Sequence, residues 1–372
     1  MGPVTRLLKS ACVLGIVIGG FLSAIPQNSV FNDRRNTLIA DQFNNRVIEV
    51  DRKGNIVWQF GLGPADFTPA SIIGTNDAEC VGTLTLMAGT GTPGGQPEAP
   101  DCTNPSGCPD NRVLLVDRAG NIVWQYGQFG VAGSLPNQLN VPVQNTWLPN
   151  GHILITDQAN ERIIEVTLTK QFVWQYGTTG VSGNGPNQLV NPTCALLLEN
   201  GHILICDENN NRAIEVTHTS PSQIVWQYGS GDPNINDPVS GVAFASRLEN
   251  GDTLITDSNH SRIVEIDSNK NVVWECFTCT GTACNLPRGS GPLPTRAVRL
   301  KNGHTLISDQ YNHRVIEVNH GKQIVRTFGK LGVLGYNTQS VANGGLNSPY
   351  DAKRIGDFTG LTPPSGFDSG DR

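Results

Sequence analysis

Charge is sparse in this 372-residue chain: only 16% of residues are charged, and the 26 basic side chains, set against 32 acidic ones, form no Lys/Arg cluster. Nucleic acid and anionic membrane surfaces are thereby excluded as partners, since both require concentrated positive charge. Methionine is nearly absent (2 residues), whereas 42 Gly and 23 Pro punctuate the whole length, which argues against long helices and for many short strands joined by turns. Also missing are a Gly-x-Ser-x-Gly elbow, a phosphate loop ending in Gly-Lys-Ser/Thr and a His-Glu-x-x-His zinc helix.

One apolar run stands out, at the N-terminus. Arg6 and Lys9 precede an uninterrupted stretch of apolar, Gly and Ser residues from Ala11 to Ala24, and Leu22-Ser23-Ala24 offers a small-residue cleavage site. Residues 1–24 read as a secretory signal. The competing reading, a membrane anchor, needs about 20 apolar residues to span a bilayer, more than this run supplies. Removing Cys12 with the signal leaves an even set of cysteines, as an oxidising compartment favours. Cys102 and Cys108 bracket a Pro/Gly-rich loop, while Cys276, Cys279 and Cys284 crowd another, and local disulfides explain them better than zinc. A secreted protein, extracellular or periplasmic, with no membrane insertion after signal removal, is the expectation.

A repeat decides the architecture. Its clearest copy runs from Asn150-Gly151-His152 through Asp157, Asn160, Arg162 and Glu165 to Trp174-Gln175-Tyr176-Gly177. The corresponding aspartates are Asp41, Asp157, Asp207, Asp257 and Asp309, with a step of about 50 between the later ones. The gap after Asp41 is twice as long and contains a degenerate copy, in which Gly82 to Ala88 supplies a strand, a Cys-containing insertion follows and Asn111 to Gly127 restores the ending. Six units result. Within each, apolar runs of four to six residues alternate with turn signals, and Asn-Gly predicts a tight hairpin of type I′. The third unit would carry strands at 143–148, 152–157, 162–167 and 172–176. Such sheets bury their faces by radial stacking, so the fold class is all-β, a six-bladed β-propeller of four-stranded antiparallel blades over residues 25–358, with 359–372 as a tail. Residues 349–355 are expected to complete the first blade beside 37–41, which closes the ring and removes an exposed edge.

The Asp309-Gln-Tyr-Asn312-His313-Arg314-Val315 element, the following Arg326-Thr-Phe-Gly329 and the Pro136-Asn-Gln-Leu139-Asn-Val-Pro142 linker resemble the NHL-repeat family of propellers. That resemblance implies the fold and a range of functions from lyases to pure binding modules. The Asn-Gly-His-Ile-Leu-Ile-Thr-Asp and Ile-Val-Trp-Gln-Tyr elements are also similar to arylsulfotransferase propellers, whose chemistry would need a nucleophilic His at the central funnel. No predicted inner strand contains one.

Residues repeated in every blade build the scaffold, whereas function resides where blades differ. The Asp-x-x-Asn-x-Arg turns read as structural, with Arg pairing to an acid on the next blade. Trp58, Trp124, Trp174, Trp226 and Trp274, one per outer strand, read as interblade packing. His152, His202 and His304 follow the Asn-Gly turns and read as solvent-facing.

Counting outward from each Asn-Gly turn sets Gln144 beside Asp157, Cys194 beside Asp207, Phe244 beside Asp257 and Arg296 beside Asp309. The same count places Asp351 beside Asp41, with Asp77 as the second-blade equivalent. This uneven funnel rim, Asp41, Asp77, Gln144, Phe244, Arg296 and Asp351, is the candidate ligand site. Two facing acids, Asp41 and Asp351, would repel unless a cation intervened, and Ca²⁺ is the metal they would take, with Arg46 or Arg314 as the structural alternative. The linkers at 62–80, 127–141, 230–240 and 277–293 crown the same face and can present a braced surface to a protein or glycan. A binding module leads these readings. A lyase or sulfotransferase-like enzyme at the funnel is the alternative, and a structural extracellular component the third; no catalytic residue and no cofactor is assigned.

Overall fold

The computed structural model describes residues 31–232, 237–278 and 293–357. The N-terminal signal pattern, Cys279, Cys284 and the tail after 357 lie outside the described residues.

Six four-stranded antiparallel sheets form a ring, a six-bladed β-propeller. Their innermost strands are Thr75–Val81 (blade two), Pro142–Trp147 (three), Pro192–Leu197 (four), Val242–Arg247 (five), Pro294–Arg299 (six) and Pro349–Arg354 (one). The last of these pairs antiparallel with Thr37–Asp41, so the chain's C-terminal strand closes the first blade, as expected from the sequence. In blade three the outer strands are Ile153–Asp157, Arg162–Val166 and Phe172–Tyr176, each within a residue of its predicted span.

The hairpin between the first two strands is tight, but its turn differs from the type I′ expectation. Leu148 N–H donates to His152 O (2.9 Å) and Gly151 N–H to Leu148 O (2.9 Å), which makes the loop one residue longer. Of the Asn-Gly pair only Gly151 has positive φ, at +80°, the signature of a type I turn followed by a glycine bulge.

Blade seams are built from repeated side chains. Trp58 Nε1 donates to Arg118 O (3.0 Å), Trp124 to Leu168 O (2.8 Å), Trp174 to Thr219 O (3.0 Å) and Trp274 to His320 O (2.9 Å), each reaching the outer turn of the next blade. The arginine of each Asp-x-x-Asn-x-Arg turn does not cross the seam as expected. Arg162 Nε instead binds Asp157 in its own blade at 2.8 Å, and Arg46, Arg212, Arg262 and Arg314 do the same with their aspartates. This follows from antiparallel pairing, which sets Asp157 directly opposite Arg162. Interblade ion pairs fall to other residues: Arg247–Glu215 (3.0 Å), Arg299–Glu265 (2.7 Å) and Arg354–Glu317 (2.8 Å). The same glutamates take His202 and His304, and Glu165 takes His152, so these histidines are half-buried partners rather than free turn residues.

Blade two keeps the turn by substitution. Gly89 stands where the other blades have Asp, opposite Arg112. A Cβ on Gly89 would collide with the Asp110 carboxylate, which returns from the far end of the insertion and binds Arg112 Nε at 2.5 Å. The insertion is closed by the Cys102–Cys108 disulfide, one of the local bonds expected. A second disulfide, Cys194–Cys206, joins the two innermost strands of blade four, and Cys80 and Cys276 are buried free thiols.

Candidate functional site

The six inner-strand positions singled out from the sequence are homologous, yet their partners differ from the count by one residue. Gln144 lies opposite Thr156, Cys194 opposite Cys206, Phe244 opposite Thr256, Arg296 opposite Ser308 and Asp351 opposite Ala40. A bulge at the start of each inner strand is responsible: Pro142 pairs with Asp157 and the next residue is skipped. Proline has no N–H to give the ladder, and Asp157 Oδ1 accepts from Asn140 N (2.7 Å) instead.

Asp41 and Asp351 consequently belong to separate networks and do not form the facing acid pair. Asp41 accepts from Asn347 N (2.8 Å), Asn44 Nδ2 (2.8 Å) and Arg46 Nε (2.8 Å), the scaffold role of its equivalents. Nor does Arg296 pair with Asp309, which binds Arg314. Among the described residues no group of three or more His, Cys, Asp or Glu is arranged to hold a metal ion.

Asp77, Arg296 and Asp351 do come together, joined by a residue the sequence reading missed, Lys353. Lys353 Nζ lies 2.7 Å from Asp77 Oδ1, 2.9 Å from Asp351 Oδ2 and 2.8 Å from Ala78 O. From blade six, Arg296 reaches blade two, with Nη2 at 2.9 Å from Asp77 Oδ1, and blade one, with Nε at 2.7 Å from Asp351 Oδ1. The second contact is out of line for a hydrogen bond, and Arg296 Nη1 has no hydrogen-bond partner. Phe244 of blade five lies 4.1 Å beneath the guanidinium, and Asn145 Nδ2 of blade three holds Asp77 Oδ2 at 2.6 Å. Five blades thus meet in one cluster whose charged members are at most 4% exposed.

Two carboxylates face two cations, yet burial raises the Asp77 pKa above its usual range despite Lys353 and Arg296. Burial opposes the charge on Asp351, but Arg296 and Lys353 outweigh it and hold its pKa below the usual range. Lys353 is likewise disfavoured by burial, then raised above its ordinary value by Asp351 and Asp77. Glu79, two residues along the strand from Asp77, is pushed up to about 8 by burial. The remaining candidates are occupied locally: Gln144 Oε1 accepts from Ala195 N (3.2 Å), and Cys194 is in the disulfide.

Above this plug the mouth is lined by residues from the turns after the second strands. Gln310 Nε2 donates to Gln42 Oε1 (2.6 Å), whose Nε2 donates to Asn76 Oδ1 (2.7 Å), a polar belt across blades six, one and two. The blade-two insertion leans over this side, where Ala99 and Cys102 pack with Phe43 and Tyr311, and Asn347 Nδ2 donates to Glu98 O (2.7 Å). In the corresponding turn of blade four stands Glu208, half-buried and pushed up to about 7 by desolvation. Tyr350, in blade one across the funnel, is pushed far up by burial and next by the Glu208 charge. Neither was singled out from the sequence. Glu208 is the residue after the scaffold Asp207, and only its departure from Gln42, Gln158 and Gln310 marks it.

No protein-family model and no curated protein matches the chain. Among solved structures, a protein of unknown function from Bacteroides caccae shares 14% identity over 78% of this chain and 92% of its own, with a TM-score of 0.51. Virginiamycin B lyase from Staphylococcus aureus shares 14% identity over 80% and 85%, with a TM-score of 0.45. The likeness is one of fold. At this identity the propeller frame is shared and the chemistry of its mouth is this chain's own.

Proposed function

We propose that the chain is an exported binding module that captures a protein, glycan or small polar ligand at the funnel mouth, between Glu208 and Tyr350. One observation carries this reading: the Asp77–Lys353–Asp351–Arg296 cluster plugs the axis directly below, so a ligand stops at the rim, where hydrogen-bonding groups converge. The disulfides Cys102–Cys108 and Cys194–Cys206 and the signal-like residues 1–24 support export.

An enzymatic reading has one observation in its favour. Glu208, whose carboxyl is pushed up to about 7 by desolvation, has the property of a general acid-base, as a lyase-like activity would use. Affinity capture from the secreted fraction, with mass spectrometry of what wild type and Glu208→Gln/Tyr350→Phe retain, tests the proposal. Retention by wild type and its loss in the double variant support binding at the mouth. Equal retention by both contradicts it, and chemical alteration of the retained species by wild type alone favours the enzyme.

A further inference from the structure

Three linkers carry the same pair of hydrogen bonds. In the linker before blade three, Gly133 N donates to Leu139 O (3.1 Å) and Gly133 O accepts from Asn160 Nδ2 (2.8 Å). Before blade four, Gly183 and Leu189 repeat it, with Asn210 (3.2 and 2.8 Å). Where the ring returns to blade one, Gly335 N donates to Leu346 O (3.0 Å) and Gly335 O accepts from Asn44 (2.8 Å). The leucine follows the glycine by six residues in the first two cases and by eleven in the third. Five extra residues are therefore inserted between two fixed points, and they form a concavity of about 330 Å³ that opens to solvent.

This insertion is held rigidly. Val341, fully buried, donates from N to Gly54 O and accepts at O from Gly329 N (2.7 Å each), while Ile56 N donates to Gln339 O (2.9 Å). Arg46 binds Asn337 O (2.6 Å) and Gly345 O (2.9 Å) and lies 4.5 Å over the Tyr336 ring. Gly345 has φ +83°, and a Cβ there would press on Asn337 at 2.7 Å, so the backbone lies bare against the cavity. A loop fixed in this way binds without an ordering cost.

The walls define the ligand. Tyr336 contributes an aromatic ring 40% exposed, and Asn337 and Asn343 contribute carboxamides. Among the described residues the Tyr336 hydroxyl, Asn337 Nδ2 and the Asn343 amide make no hydrogen bond. No charged side chain lines the cavity, and Arg46 beside it is already matched by Asp41. An aromatic surface with neutral donors and acceptors and no ionic group suits an uncharged, hydroxyl-rich ring, and the volume lies in the small-ligand range of about 300–1,000 Å³. We infer that this cavity, at the seam of blades six and one, is a binding site for a neutral saccharide ring. It is distinct from the funnel mouth and does not depend on that reading.

The test is titration calorimetry with a panel of hexoses, N-acetylhexosamines and their β-linked di- and trisaccharides. At least one panel member should bind wild type saturably, and Tyr336→Leu should weaken that binding about tenfold or more, Asn343→Ala about three- to tenfold, as lost stacking and hydrogen bonds imply. Glu208→Gln should leave it unchanged, which separates this site from the mouth. Asn343 is exposed and makes no contact that folding needs, so its variant remains decisive if Tyr336→Leu loosens the loop. Absence of saturable binding across the panel, or binding indifferent to both substitutions, overturns the inference.

Discussion

Lys353 Nζ stands 2.7 Å from Asp77 Oδ1, and so the strand that closes blade one is tied ionically to the inner strand of blade two. The amine also serves Asp351 and the carbonyl of Ala78, which leaves no hydrogen on it unused. Lys353→Met would strand the two buried carboxylates with only Arg296 between them. A loss of about 3–5 kcal/mol is expected, as for other buried pairs deprived of one member. Urea unfolding measures it, and Lys353→Met combined with Asp77→Asn should recover part of the loss. A single variant within about 0.5 kcal/mol of wild type, a surface-like effect, would contradict the plug's structural role.

Truncation after residue 345 removes the closing strand and the residue after it, including Asp351, Ala352 and Ile355, which are at most 1% exposed. It also bares the edge of Thr37–Asp41. The truncated chain should lose its cooperative thermal transition, followed by circular dichroism. If it merely sheds a tail and melts as before, the closure has no energetic weight.

Stability should fall on the alkaline side. Glu79 rises from an ordinary 4.5 to about 8 in the folded protein, so the native state holds a proton that the unfolded chain releases. Its contribution is complete below about pH 4.5 and is lost as pH rises through about 8. Glu165 behaves oppositely: burial would raise it, but the close His218 Nε2 contact (2.7 Å) and the hydrogen bonds of His152 and Asn150 lower it to about 2. Its contribution is present above about pH 4.5 and fades as the pH falls below that. Melting temperatures from pH 5 to 9 should decline in wild type and decline less in Glu79→Gln; parallel curves would show that Glu79 is ionised throughout.

The Cys102–Cys108 bond braces the insertion over the mouth, and its short loop limits its worth to about 2 kcal/mol. Cys102→Ser should therefore speed hydrogen exchange in residues 90–110 and leave the blades protected. Faster exchange spread across all six blades would mean that the insertion supports the whole ring.

Much of this molecule was legible in its sequence because a repeat states the same structural rule several times. The period of about 50, the strand alternation and the Pro349–Arg354 closure all followed from residues whose neighbours recur in every blade. The failures were single-residue matters. Bulges at the inner-strand starts shift the register by one, which separates Asp41 from Asp351, and nothing in the residue types announces the skipped position. Lys353 escaped notice because it lies two residues along from Asp351, and its partners come from another blade, a relationship that linear spacing does not encode. Glu208 was hidden inside a scaffold turn. Asp77, Arg296 and Asp351 share a ring position, and the structure joins them in a buried ionic cluster rather than an open rim.

The buried Asp77–Lys353–Asp351–Arg296 cluster lies below the mouth at which a ligand is proposed to bind. The most direct test of that binding is affinity capture from the secreted fraction with wild type, Glu208→Gln/Tyr350→Phe and Tyr336→Leu as parallel baits. A species retained by wild type and Tyr336→Leu and lost from the mouth variant is the predicted result. Retention that ignores the mouth substitutions would contradict it.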